Sequence, residues 1–93
     1  MDRAARNIVV NAGYGKNFIH ALGHGIGREV HEPPYLNLTG NDRLRSGMVF
    51  TVEPGVYLPG VGGVRIEDDL MITSRGCRKF AGPASSLEKM ILT

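Results

Sequence analysis

The spacing of apolar positions changes twice along the chain. Over residues 2–12 they recur at helical intervals: Ala4, Ala5, Ile8, Val9 and Ala12. This predicts an amphipathic helix laid on a sheet. Asp2 is the candidate N-cap, and Gly13 stands where a left-handed C-terminal cap would end the helix. Residues 14–17 connect. A short helical or irregular piece is expected at 18–22 and an extended one at 26–31. Pro33 and Pro34 should end the latter, because proline removes a donor and keeps its predecessor extended. Residues 35–47 are rich in turn formers and read as a loop bending at Thr39-Gly40-Asn41-Asp42.

The pattern then becomes strand-like. Residues 48–52 (MVFTV) are largely β-branched or aromatic and predict a strand. Pro54-Gly55 breaks it, residues 56–58 are briefly extended, and PGVGG at 59–63 turns the chain. Residues 64–73 (VRIEDDLMIT) predict a second strand, and Ser74-Arg75-Gly76 turns it into a third at 77–80. Ser85 or Ser86 could cap a last short helix through Ile91. The expected class is α+β: an antiparallel sheet with an N-terminal and a short C-terminal helix.

Composition narrows this little. Ninety-three residues, 42% hydrophobic and 22% charged, suit one small globular domain. The formal charge of +2 and the lack of any basic run argue against nucleic acid. One cysteine, Cys77, excludes an internal disulfide. No apolar run reaches membrane-spanning length and the N-terminus is no signal peptide, so no membrane partner and a cytoplasmic location are expected. The 13 glycines, separated by apolar runs, predict tight turns and backbone lying close to a ligand.

The candidate chemistry starts at HALGHGIGREVHEPP. It holds all three histidines of the chain, His20, His24 and His31, with Gly23, Gly25 and Gly27 around the middle one. Histidine is the commonest metal ligand and the usual acid or base near neutrality. Side chains alternate along a strand, so Val49, Thr51 and Glu53 share one face, and Arg65, Glu67, Asp69 and Met71 share another. If the two strands are neighbours in a hairpin, both glutamates reach one spot. Taken singly, Glu67 reads equally as an ion-pair partner of Arg65, Glu53 as an end-of-strand surface carboxylate and His24 as a structural histidine. Together they form a mixed nitrogen and oxygen set suited to divalent Zn, Co, Mn or Fe. Two other motifs are excluded. The glycines of 60–63 form neither phosphate-binding fingerprint, and the prolines of HEPP forbid the H-E-x-x-H zinc helix.

GHGIGREVHEPP followed by VFTVEPGVYLPGVGGVRIEDDLMIT resembles the pita-bread metallopeptidases, namely methionine aminopeptidase, aminopeptidase P and Xaa-Pro dipeptidase (prolidase). EPGVY followed by GGVRIEDD resembles the Xaa-Pro branch. Methionine aminopeptidases share the His24 motif but lack Arg-x-Glu-Asp-Asp. The resemblance implies two divalent metal ions (Mn, Co or Zn). It implies His24, Glu53 and Glu67 as metal ligands, with Glu67 bridging and Glu53 also moving a proton. His31 would contact substrate and stabilise the tetrahedral intermediate. His20 and Tyr57 would line the substrate pocket, and Arg65 would support Glu67 beside it. The implied substrate is a short peptide with proline after the scissile bond. The alternatives are methionine aminopeptidase-type activity or a non-catalytic protein-binding module on the same fold.

The family site takes two further aspartates from a preceding segment. The four aspartates here do not replace them: Asp2 and Asp42 lie at a helix start and in a loop, and Asp68 and Asp69 belong to the matched motif. Residues 1–93 therefore read as the C-terminal half of a catalytic domain. The half alone is expected to bind metal weakly or not at all and to be inactive or nearly so. It is also expected to self-associate, as a homodimer, through surface meant for the other half.

Overall fold

The computed structural model describes residues 1–40 and 42–80. The expected C-terminal helix lies outside the described residues. The order of elements is α1 (Asp2–Asn11), a 3-10 turn (Gly15–Asn17), then β1 (Gly23–Gly25), β2 (Glu32–Leu36), β3 (Val49–Val52), β4 (Gly55–Leu58), β5 (Gly62–Arg65), β6 (Asp68–Thr73) and β7 (Gly76–Lys79). Five strands form one sheet in the order β2-β1-β3-β6-β7, and β4-β5 forms a separate hairpin. Every pairing is antiparallel. The α+β class expected from the sequence is the one observed.

Helix α1 ends as its sequence dictates. Gly13 has φ +91°. Its N–H donates to the Val10 carbonyl and that of Tyr14 to Val9, at 2.9 and 3.0 Å. This pairing is a Schellman motif. The apolar stripe is narrower than expected. Ala5 and Val9 pack against the core, while Ile8 is 72% exposed. Asp2 is not the cap but the first helical residue. Its side chain turns inward, because Arg6 one turn later offers a partner on the same side.

The core is Phe18, Leu22, Leu36 and Phe50, with Leu44, Val52, Leu70 and Ile72 around it. Strand β1 runs tightly between β2 and β3. A Cβ at Gly23 would collide with the Thr51 carbonyl, and one at Gly25 with the Pro33 carbonyl. These glycines are present because two backbones pass within their side-chain volume.

Two expectations are corrected. Residues 27–31 are bends, not an extended segment, and the strand runs instead through the two prolines as β2. Strand β2 lies at the sheet edge, where a missing N–H costs little. The prolines also fall where the β1–β2 register shifts, between His24↔Tyr35 and Gly25↔Glu32. The outward N–H of Tyr35 donates to the Asp42 carboxylate at 2.9 Å. The other correction concerns residues 64–73. They divide into β5, paired with β4, and β6, paired with β3. The break falls at Ile66-Glu67, where the chain passes from one sheet to the other.

Candidate metal and peptidase site

His24 is the middle residue of β1, and Thr51 of β3 holds it from behind. The buried Thr51 hydroxyl accepts the His24 N–H at 3.1 Å. The ring is held too. Nδ1 lies 2.9 Å from the Gly25 carbonyl. A carbonyl only accepts, so Nδ1 carries a proton, and in the neutral ring Nε2 is the nitrogen with the free lone pair. Nε2 faces the Glu53 carboxylate at 3.4 Å, with both side chains largely buried.

Glu53 follows the last residue of β3, and its own N–H donates to the Leu22 carbonyl at 2.7 Å. Backbone contacts therefore fix where both side chains begin. Glu67 stands across the break between β5 and β6. In the register that pairs Val52 with Asp68 and Gly55 with Arg65, Glu53 and Glu67 are opposite each other. Glu67 is about two-fifths exposed, and its carboxylate lies 3.8 Å from the Arg65 guanidinium. That distance makes an ion pair, not a hydrogen bond.

His24, His31, Glu53, Arg65, Glu67 and Asp69 line one cavity of about 500 Å³. The His31 ring meets the His24 ring edge-on, with centroids 4.4 Å apart. His20 and Tyr57 do not line that cavity. They bond to each other, the Tyr57 hydroxyl lying 2.8 Å from His20 Nε2 while His20 Nδ1 lies 2.7 Å from the Ala21 carbonyl.

An imidazole lone pair facing a carboxylate is repulsive unless the ring takes a second proton or a cation lies between. Two ligands about 2.05 Å from a tetrahedral ion are about 3.3 Å apart, close to the 3.4 Å seen here. The Nδ1 bond to a carbonyl is also the usual support of a metal-binding histidine. His24 and Glu53 thus fit one edge of a metal site. Among the described residues no three histidine, cysteine, aspartate or glutamate side chains are gathered tightly enough to hold an ion. Glu67 shares the cavity and is drawn toward Arg65.

The sequence did not single out Thr51, although its place two residues before Glu53 on the same strand face was visible. It also did not assign the burial of Asp2. Asp2 is 2% exposed, and its carboxylate accepts from Arg6 at 2.8 and 3.2 Å and from the Leu22 N–H at 3.0 Å. Burial alone would push its pKa up. The Arg6 guanidinium and the Leu22 N–H outweigh that and hold it below the ordinary value.

The model of metallopeptidase family M24 matches residues 1–74. The chain belongs to metallopeptidase family M24. Its M24 relatives include the Xaa-Pro dipeptidase of Pyrococcus horikoshii, 52% identical over 86% of this chain and 23% of that protein. That of Pyrococcus furiosus is 49% identical over similar shares, 86% and 23%. Among solved structures, the Xaa-Pro dipeptidase of Bacillus anthracis superposes with a TM-score of 0.88 at 46% identity, over 92% of this chain and 24% of that one. The fold is that of the pita-bread prolidases. The chain spans about a quarter of the length of these relatives. Among the described residues no helix is long and apolar enough to cross a membrane.

Proposed function

We propose that these residues are part of a metal-dependent peptidase that cleaves Xaa-Pro bonds in dipeptides or at peptide N-termini. The observation that carries this reading is the His24–Glu53 pair. An imidazole whose proton is tied to Gly25 faces a carboxylate at 3.4 Å, in a cavity that also holds His31 and Glu67.

His24, Glu53 and Glu67 would be this chain's share of the ligands to two divalent ions, Mn, Co or Zn. When bound, the ions supply a water acidic enough to ionise near neutrality. This chain's own residues do the remainder. Glu53 accepts a proton on its carboxylate and passes it to the departing amine. His31, on the bend beside His24, donates to the oxyanion that develops on the scissile carbonyl. Arg65 holds the Glu67 carboxylate in the cavity. His20 and Tyr57 bound the substrate end of the site in the complete domain. The cell compartment we propose is the cytoplasm. By themselves these 93 residues offer three of the family's ligands and neither of its two aspartates, so we expect weak metal binding and little or no hydrolysis.

The test is a chimera in which this chain replaces its matching quarter of the Pyrococcus horikoshii Xaa-Pro dipeptidase. The expected result is release of proline from an Xaa-Pro dipeptide with added Mn or Co, lost on Glu53→Gln. A folded chimera that releases no proline would end the reading. Steady proline release by the 93 residues alone would overturn the expectation that they are inactive.

A further inference from the structure

We propose that Glu32 is a positioning residue for His31, and that it acts by fixing the bend that carries His31 to the site. What His31 does there rests on the peptidase reading above; how it is held rests on the geometry of residues 27–32. His31 is exposed, and so are the four residues before it. None of the five belongs to a helix or a strand. His31 still has to present its ring beside His24, where the centroids are 4.4 Å apart. A group misplaced by about 1 Å can cost about a hundredfold in rate. The bend therefore needs a restraint.

Glu32 follows the bend and opens β2. Its backbone is anchored, being paired with Gly25 of β1. Its side chain folds back over the bend, and Oε1 accepts the Glu29 N–H at 3.1 Å. The Glu29 carbonyl in turn accepts the Gly27 N–H at 3.4 Å. A glutamate in a capping box makes the same reach, to an N–H three residues earlier, at the start of a helix. Here no helix follows, and the bond closes the bend instead. Gly27 leaves room for it, since a Cβ there would stand 2.5 Å from Oε1 and 2.9 Å from Oε2. Glu32 thus touches the bend at its start and middle and adjoins His31 at its end.

Two other roles for this carboxylate fit less well. Glu32 does not line the cavity of His24, Glu53 and Glu67, so it is not placed to bind metal or carry the proton. Among the described residues it has no ion-pair partner, so charge pairing does not account for its position. A hydrogen bond this exposed adds little to overall stability. Its loss should show in rate more than in melting.

The test uses the chimera with the Pyrococcus horikoshii Xaa-Pro dipeptidase. Glu32→Ala should lower kcat on an Xaa-Pro dipeptide about tenfold to a hundredfold, with KM and bound metal unchanged. Amide hydrogen exchange should quicken within residues 27–31 and not elsewhere. Glu32→Gln keeps an acceptor oxygen at the same reach and should recover most of both effects. Gly27→Ala pushes the carboxylate away without altering its charge and should repeat the loss. In a His31→Ala background Glu32→Ala should lower kcat no further. An unchanged kcat in Glu32→Ala overturns the proposal. So does a loss that glutamine does not restore, or one that persists without His31. The exchange measurement separates this proposal from the peptidase reading. If the folded wild-type chimera releases no proline, that reading fails, and exchange alone decides whether Glu32 holds the bend. Faster exchange in Glu32→Ala, restored in Glu32→Gln, supports the restraint; unchanged exchange overturns it.

Discussion

The contact between Asp2 and Arg6 fastens the helix to the segment that leads into the site, and removing it should be costly. Asp2 takes two bonds from Arg6 and one from the Leu22 N–H. Arg6 also donates to the Phe18 carbonyl at 2.6 Å and the His20 carbonyl at 2.8 Å, with its guanidinium 4.1 Å from the centre of the Phe18 ring. Leu22 precedes Gly23 and His24, and its carbonyl holds the Glu53 N–H. In Asp2→Ala the Leu22 N–H still has the Leu36 carbonyl, so that donor is not orphaned. What is lost is a forked, charge-assisted contact, and Arg6 is left largely buried without its counter-charge. Charge-assisted bonds contribute about 1.5–3 kcal/mol, and breaking a buried pair costs more than a surface pair. The expected loss is about 2–3 kcal/mol. A chain of this size has a total of roughly 5–14 kcal/mol. The melting midpoint should fall by about 10–20 °C. Urea unfolding of Asp2→Ala, Arg6→Ala and the double variant measures the coupling. Additivity of the two losses to within about 0.5 kcal/mol would refute the reasoning. The pH dependence has a fixed sign. The folded-state pKa of Asp2 is depressed, so its stabilisation is present above the ordinary value of about 3.9. It is lost as pH falls below that value and through the folded one. Asp2→Ala should flatten this part of the acid limb.

Three further substitutions probe the parts that hold His24 and His20. Gly23→Ala would drive a methyl into the Thr51 carbonyl and push β1 off β3; a loss of about 3 kcal/mol or more is expected in thermal unfolding, and a loss near zero would contradict the close approach. Thr51→Val removes the acceptor of the His24 N–H in a buried place; about 1–3 kcal/mol should be lost, and the His24 amide should exchange faster with solvent. Tyr57→Phe leaves His20 Nε2 without its donor; the cost should be about 0.5–1.5 kcal/mol, read together with the His20 ring-nitrogen shifts, and unmoved shifts would argue against the bond.

Much of this was legible in the residues, and what was not has physical causes. Strand β3 and the Schellman end of α1 follow from local preference, and both lie close to where the pattern puts them. Strand β1 does not. Two of its three residues are glycines, which disfavour strands, and they are placed there by neighbours distant in sequence. Strand β2 runs through two prolines because it is an edge, and edge position is a property of the sheet. The division of residues 64–73 between two sheets leaves no mark in an alternating pattern, since both pieces remain extended. Asp2 sits at the right spacing from Arg6, but the carbonyls that draw Arg6 inward come from residues 18 and 20. The meeting of His24 with Glu53 was visible as residue types and as a strand face. Its distance was not, because that is set by β1–β3 pairing.

The interruption between the two sheets also explains how the strands carry two facing acids. The pairs Val52↔Asp68 and Gly55↔Arg65 belong to a single register, so β3–β4 and β5–β6 form one ribbon that changes sheets midway. At the change the ladder thins, and the Ile66 N–H still reaches the Pro54 carbonyl at 3.2 Å. Glu53 and Glu67 occupy that place on opposite strands. Within a continuous sheet packed on a core, two facing carboxylates would be both desolvated and repelled. At the break Glu53 can turn to His24 and Glu67 to Arg65, and the cavity opens between them. The proline that follows Glu53 is therefore part of the site's construction, because it interrupts the sheet where the two acids face each other and lets each turn to its own partner.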